Sequence, residues 1–280
     1  MFKFNFSADN TAEAEEQPKV IQTEETWEKS KQIQFKDSSI LQDILKNAST
    51  INLPNYPDCK YIDPSEIVDI LQDSENETPV LKAEQNHLDL IPAVYEGGLK
   101  IWECTYDLLS YLSSEKIQLE GLKVLDLGCG SGILGIYSLS LGATCYFQDY
   151  NEDVLQYFTI PNVLVNNKGL LERSKFYSGD WESFANLIGD SLTEDEKFDY
   201  IFTSETLYNV QSYPKIHKVF KLLLKKSGKI YLAAKSFYFG VGGGIPYFKE
   251  YLDKNKVFKY LTVSEHSSGV KRAILEIKFI

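Results

Sequence analysis

Lys123-Val124-Leu125-Asp126-Leu127-Gly128-Cys129-Gly130-Ser131-Gly132 is the stretch on which the fold turns. Its first five residues read as a buried strand. The strand stops at three alternating glycines, and the apolar residues 133–141 that follow read as a helix. Glycine permits positive φ and the close backbone approach that a ligand lying across such a turn requires. The helix beyond aims unpaired N–H groups at the same place. The spacing is G-x-G-x-G. A dinucleotide fingerprint needs glycine at 133, where Ile133 stands, and a phosphate loop needs a Gly-Lys-Ser/Thr that does not follow. Residues 127–148 carry no charge and are long enough to span a bilayer. Five glycines punctuate them, Asp126 and Asp149 bracket them, and strand, turn, helix, strand is the better reading.

Outward from this turn, strand-like and helical patterns alternate. Strands are expected at 123–127, 143–148, 175–178, 198–203 and 229–234. Helices are expected at 133–141, 152–166, 181–188 and 214–225. Residues 257–263 and 270–280 read as an antiparallel hairpin closing the chain. Such alternation with nearly continuous apolar strands indicates an α/β fold: a Rossmann-like, mainly parallel sheet with helices on both faces. Ligands of such sheets bind beyond the carboxyl ends of the strands, at the switch point.

Those strand ends carry polar groups. Asp149 follows the second strand, placed as an acid that accepts hydrogen bonds from ribose hydroxyls. The third strand ends in Ser178-Gly179-Asp180-Trp181, where the Asp suits an exocyclic amine and the Trp can wall a base. The fourth ends in Thr203-Ser204-Glu205-Thr206-Leu207-Tyr208-Asn209. Each alone reads equally as a helix cap: Asp149 or Asn151, Asp180, Ser204. Together, after a triple-glycine turn, they point to a bound nucleoside.

The glycine run resembles the first motif of the seven-strand S-adenosylmethionine-dependent methyltransferases, in which that loop holds the amino-acid part of the cofactor. Upstream, the segment from Asp89-Leu90-Ile91-Pro92-Ala93-Val94-Tyr95-Glu96-Gly97-Gly98 through Ile101-Trp102-Glu103-Cys104-Thr105 resembles the protein-histidine methyltransferases. It is most similar to the branch acting on a histidine of a large-subunit ribosomal protein. Further matches are Phe147-Gln148-Asp149-Tyr150-Asn151, the third- and fourth-strand ends, and Phe239-Gly240-Val241-Gly242-Gly243-Gly244. The resemblance runs from about Leu88 to the end. It implies cofactor contacts from Ile101, Trp102, Glu103, Cys104, Thr105, Gly128, Asp149, Tyr150, Asn151, Gly179, Asp180, Trp181 and Ser204, to which the glycine-rich turn itself adds Asp126 and Gly130. It also implies S-adenosylhomocysteine as product, no metal, and transfer to the tele nitrogen. Trp102 reads alternatively as a core residue of an amphipathic helix with Leu108 and Leu109.

Neutral imidazole is a competent nucleophile near pH 7, so no strong base is required. One ring nitrogen must present its lone pair while an acceptor holds the other N–H. Glu205, Asn209 and Glu96 are the candidate acceptors, with Glu205 or Asn209 favoured for their place after the fourth strand. Gly240 to Gly244 reads as a mobile loop over the acceptor site, or as a plain turn into a helix near Pro246. Lysine methylation on the same fold, nicotinamide chemistry and a catalytically silent binding module are the competing readings. Ile133 argues against the nicotinamide reading.

Residues 1–85 read as an acidic, partly disordered extension, with the methyltransferase domain at 86–280. Within the extension, Phe2, Phe4 and Phe6 alternate as in an edge strand, and the islands around Ile40–Leu45 and Ile67–Leu71 read as short helices. The second island is capped by Asp63 or Ser65, with Pro64 in its first turn. The formal charge of −11 disfavours generic nucleic-acid binding and suits a basic protein partner, a large-subunit ribosomal protein by the resemblance. Four cysteines without CxxC spacing and three histidines argue against zinc and against a disulfide scaffold. Reduced thiols fit cytoplasm and nucleus. The acidic N-terminus fits neither a secretory signal nor a transit peptide. Monomer is the expected state, with no membrane association.

Overall fold

The computed structural model describes residues 27–36, 39–46, 48–52, 58–73, 78–85, 90–91 and 93–280. Its strands are β1 (Lys31–Ile33), β2 (Ala48–Ile51), β3 (Cys59–Ile62), β4 (Lys123–Leu127), β5 (Thr144–Asp149), β6 (Ser174–Ser178), β7 (Phe198–Ser204), β8 (Leu224–Lys235), β9 (Phe258–His266) and β10 (Arg272–Phe279). Its helices are α1 (Ser39–Ile44), α2 (Pro64–Asp73), α3 (Pro79–Gln85), α4 (Glu103–Ser114), α5 (Ile133–Ser140), α6 (Glu152–Val154), α7 (Ile160–Asn166), α8 (Trp181–Gly189), α9 (Tyr213–Leu223) and α10 (Ile245–Asn255).

Eight strands form one sheet in the order β1-β6-β5-β4-β7-β8-β10-β9. β6, β5, β4, β7 and β8 are parallel to one another, while β1, β10 and β9 add on antiparallel. The chain leaves β4 for β5 on one side and returns on the other side with β7. The strand order therefore reverses at β4, and the carboxyl ends of β5, β4 and β7 surround the switch-point crevice. The uncharged stretch 127–148 is α5 with its flanking strand ends and turns. No described helix is long and apolar enough to cross a membrane.

Both faces of the sheet are covered. On one, Leu108 and Leu112 of α4, Leu134 and Ile136 of α5 and Val163 of α7 pack on Val124, Phe147 and Phe202. On the other, Phe184 of α8, Val219 and Phe220 of α9 and Phe248 of α10 pack on Leu125, Ile201 and Leu232. Burial on both sides is why these strands read as apolar runs without alternation.

Three departures from the expected elements have local causes. Residues 152–166 are helical, but Leu155–Thr159 is a π turn between α6 and α7. Pro161 lacks an N–H for the ordinary ladder, and widening the preceding turn accommodates that loss. α9 ends earlier than expected because Leu224 already pairs with Phe198, across an irregularity in the β7–β8 register. The added edge strand is Lys31–Ile33, paired with β6; the Phe2–Phe6 pattern lies outside the described residues.

Other described parts of 1–85 lie on the body. Ile44 of α1, Ile62 of β3, Ile67 and Leu71 of α2 and Leu81 of α3 form a third cluster with Tyr95, Leu99, Val154 and Phe158. Complete burial of each aliphatic side chain is worth about 2 kcal/mol before the entropy of ordering. α2 starts as its sequence predicts, with the Ser65 amide donating to Asp63 Oδ1 at 2.9 Å.

Candidate functional site

The triple-glycine turn lies at the carboxyl end of β4. Gly128, Gly130 and Gly132 have φ of +64°, +48° and +72°. Gly130 is fixed twice. Its amide donates to Asp149 Oδ2 at 2.8 Å, and a Cβ at this position would sit 2.8 Å from the Gly98 carbonyl oxygen. No side chain fits there, so the turn presents bare main chain. The Cys129 amide donates to the Gln148 carbonyl and Thr159 Oγ1 to the Gly130 carbonyl, tying the turn to β5 and to the π turn.

A second loop closes over the turn. Ile91 and Tyr95 exchange backbone hydrogen bonds around Ala93, which has φ +59°. The Tyr150 hydroxyl donates to the Ala93 carbonyl and the Asn151 side-chain amide to the Val94 carbonyl. Trp102 donates its indole N–H to the Gly97 carbonyl at 3.0 Å, and α4 begins at the next residue. Between the two loops and the ends of β5, β6 and β7 lies a cleft with about 760 Å³ of empty space, part of it open to solvent.

Of the residues expected to contact a cofactor, Trp102, Thr105, Gly128, Gly130, Asp149, Tyr150, Gly179, Asp180, Trp181 and Ser204 line this cleft. Ile101, Glu103, Cys104, Asp126 and Asn151 do not, and each is occupied otherwise. Ile101 packs against the core. Glu103 points outward toward Lys235 and Arg272. Cys104 is on the buried face of α4, with its amide donating to Glu205 Oε1 at 3.3 Å. Asp126 lies behind the turn, where Oδ2 accepts the Gly135 amide of α5 at 2.9 Å. Asn151 accepts the Glu96 amide and so braces the second loop.

Two buried carboxylates flank the turn, Asp149 on the cleft wall and Asp126 behind it. Burial pushes Asp126 up to about 8 and Asp149 up to about 6, the latter opposed by the Gly130 and Asn151 amides. All four cysteines are buried, and burial is the main cause raising their thiols: Cys59 to about 12, and Cys104, Cys129 and Cys145 well above the usual thiol range. They are packing residues here.

The two favoured imidazole acceptors are placed differently from each other. Glu205 lines the cleft with φ +59°, a conformation that costs energy for a residue with a side chain. Its carboxylate accepts the Cys104 amide and, at 2.5 Å, the Tyr238 hydroxyl, with the Lys235 ammonium 3.8 Å away. Asn209 is outside the cleft wall and caps the turn Val210–Ser212 through its Oδ1. Glu96 lines the cleft and accepts the Ala93 amide on Oε1 and the Tyr208 hydroxyl on Oε2. The segment 240–244 is pinned rather than free-standing. The Gly243 amide donates to the Tyr208 carbonyl, and a Cβ on Gly243 would lie 2.0 Å from the Leu207 carbonyl oxygen.

The cleft also contains Trp27, Ser212 and Lys215, which the sequence alone did not mark, and Lys100, which stood within the quoted 89–105 segment without a role. Tyr208 stood within a recognised motif without a role. Trp27 and Lys215 carry no local signal, because their meeting depends on tertiary structure.

A relative from Mus musculus named histidine protein methyltransferase 1 homolog is 37% identical over 294 residues, covering 96% of this chain and 79% of its own. The chain belongs to the histidine protein methyltransferase 1 family. Relatives of the same name from Bos taurus and Dictyostelium discoideum are 40% and 49% identical, covering 85% and 68% of this chain and 70% and 60% of their own. A family model described as lysine methyltransferase matches residues 81–238. A Xenopus tropicalis relative named protein N-lysine methyltransferase METTL21A is 30% identical over only 49% of the chain, so the histidine-named family is the nearer of the two. Among solved structures, SMU.776, assigned as a methyltransferase and complexed with SAH, has a TM-score of 0.50 at 12% identity. It covers 64% of this chain and 50% of its own, and at that identity it speaks for the fold alone. Among the described residues, no group of three or more His, Cys, Asp or Glu is gathered as for a metal ion.

Proposed function

We propose that this family member transfers a methyl group from S-adenosylmethionine to an imidazole nitrogen of a histidine in a protein. The observation that carries the reading is the cradle at Gly130. Main chain with no room for a Cβ faces a cleft walled by Asp149, Trp102 and Trp181. That is the donor set for a nucleoside with an amino-acid tail: backbone for the tail, a carboxylate for ribose hydroxyls, aromatic surface for the base. Bound there, S-adenosylmethionine supplies a methyl group already activated on a positively charged sulfur.

The chain's own task is to hold the imidazole in line, exclude water and favour the positive charge that the ring acquires. Tyr208 suits the first role. Its hydroxyl proton is committed to Glu96, so its oxygen lone pairs remain to accept the ring N–H. Burial, then Glu96, holds the Tyr208 phenol well above its usual range, so it works as a positioning acceptor and not as a base. The carboxylates of Glu96 and Glu205, both on the cleft wall, favour the developing imidazolium, which afterwards releases its N–H proton to solvent.

The finer features of this reading are transfer to the tele nitrogen and a large-subunit ribosomal protein as substrate. They are supported by the resemblance of the 89–105 segment and by the −11 charge, which attracts a basic protein. A monomer acting in cytoplasm and nucleus completes it. The test is methyl transfer from labelled S-adenosylmethionine to ribosomal proteins of a strain lacking this gene, followed by amino-acid analysis. Tele-methylhistidine is expected. Methyl-lysine would favour the reading carried by the family model's description, and an unlabelled product pool would end both.

A further inference from the structure

We propose that Trp27 is a binding residue for S-adenosylmethionine, carried by the segment that leads into β1 to wall the purine end of the cleft. This rests on the cofactor proposed above.

The geometry begins at the sheet edge. β1 runs antiparallel to β6, with Lys31 opposite Ser178, so residues 27–30 continue past the carboxyl end of β6, across the end of the cleft. Three hydrogen bonds hold that strap. The Asp180 amide donates to the Glu28 carbonyl at 2.9 Å. The Glu28 amide donates to the Tyr150 hydroxyl at 3.2 Å, and the Ser30 amide to Ser183 Oγ at 2.9 Å. Gly179, at φ +101°, is moulded to the strap: a Cβ there would lie 2.7 Å from the Ser30 backbone. The residue at the third strand end that reads as a nucleoside contact is thus a glycine because the N-terminal strap crosses it.

Trp27 is half-buried, outside the hydrophobic core, and lines the cleft. Its indole meets Tyr150 edge-on at 5.8 Å. The Lys215 ammonium lies 3.4 Å from the centre of the indole and 2.5 Å from Asp180 Oδ1. Asp180 Oδ2 accepts the Glu182 and Ser183 amides. Asp180, Lys215 and Trp27 therefore form a stack of carboxylate, ammonium and π face that fixes the indole beside the end of the cleft that carries Asp180 and Trp181. An indole held this way offers flat apolar surface to a base at small entropic cost.

The test uses the full chain and two probes, S-adenosylhomocysteine and 5′-methylthioadenosine, which keeps the base and sugar but lacks the amino-acid tail. Binding is measured by calorimetry, with a melting curve for each variant. Trp27→Ala should weaken both probes by about tenfold, the scale of losing one aromatic face from a base. Trp27→Phe should recover most of the affinity, and Lys31→Ala, on the exposed edge of the strap, should bind as the wild type does. Undiminished affinity in Trp27→Ala overturns the assignment and leaves the proposed activity standing. Equal loss in the Phe and Ala variants with a matching drop in melting temperature also overturns it, in favour of a purely structural strap. Failure of the wild-type chain to bind either probe overturns both the cofactor reading and this one.

Discussion

Asp149 and Gly130, 19 residues apart, are joined by a hydrogen bond of 2.8 Å from the loop amide to Oδ2, so the carboxylate at the end of β5 sets the shape of the turn at the end of β4. Asp149→Ala would leave that amide buried without a partner, at a cost of about 1–3 kcal/mol, and would remove an acceptor from the cleft. Calorimetry should show S-adenosylhomocysteine binding weakened by at least about tenfold. Unaltered binding would mean that the carboxylate serves the loop alone.

The same group sets a pH dependence. Burial raises Asp149 from the usual 3.8 to about 6, and only its ionised form is a full acceptor for ribose hydroxyls. Cofactor affinity should hold above pH 6 and fall below it, approaching about tenfold per pH unit. Stability runs the other way. A carboxyl whose folded-state pKa is raised contributes stability that is fully present below 3.8 and lost as pH rises through about 6. Asp149 therefore does not make the ligand-free chain easier to melt as pH falls from about 7 to 5. Affinity lost in step with melting temperature would trace the effect to unfolding instead.

Gly130→Ala and Gly121→Ala form a matched pair. Both positions have positive φ, so each variant should lose about 1–2 kcal/mol of stability in thermal or denaturant melts. A Cβ on Gly121 meets nothing within 4 Å, whereas one on Gly130 meets the Gly98 carbonyl. Cofactor binding should consequently survive at 121 and collapse at 130. Equal behaviour of the two would remove the cradle from the account.

Tyr208 and Asn209 separate positioning from capping. Tyr208→Phe should lower kcat by about 10–100-fold while leaving cofactor affinity within about twofold, since it removes one hydrogen bond to a ring that becomes charged. Asn209→Ala removes a cap worth about 1 kcal/mol and should leave kcat unchanged. A kinetic loss confined to Asn209→Ala would return the orienting role to Asn209.

Long-range attraction predicts that methylation of a basic protein slows as ionic strength rises, because the Debye length falls to about 10 Å at 0.1 M salt. Turnover of a short uncharged histidine peptide should change little over the same range. Identical salt profiles would show that the −11 charge plays no part in recruitment.

What the sequence made legible follows from distance along the chain. The β4 strand, its glycines, Asp149 and the ends at 178–181 and 203–209 are local patterns, and the parallel sheet follows from their order. Asp126 and Asn151 occupy motif positions yet face away from the cleft, since a motif marks a residue's place on a loop and not the direction of its side chain. β1 is too short, at three residues, to show a period, and its pairing depends on the edge of β6. Lys215 is an ordinary helix residue until Asp180 and Trp27 meet it from two other elements. Glu205 gives no hint in sequence of its φ of +59°, which the surrounding contacts to Ala233, Cys104 and Tyr238 impose.

The four buried thiols have a practical corollary. Maleimides and other soft electrophiles need an accessible thiolate, and this chain offers none in its folded form. The native protein is therefore a ready background for a reporter: Phe239→Cys, at a position 71% accessible beside the pinned segment, would provide the one accessible thiol to take up a fluorophore. A dye there, one residue from Tyr238, whose hydroxyl donates to the cleft residue Glu205, would test whether a polypeptide docks on this side of the cleft without any step of methyl transfer having to occur.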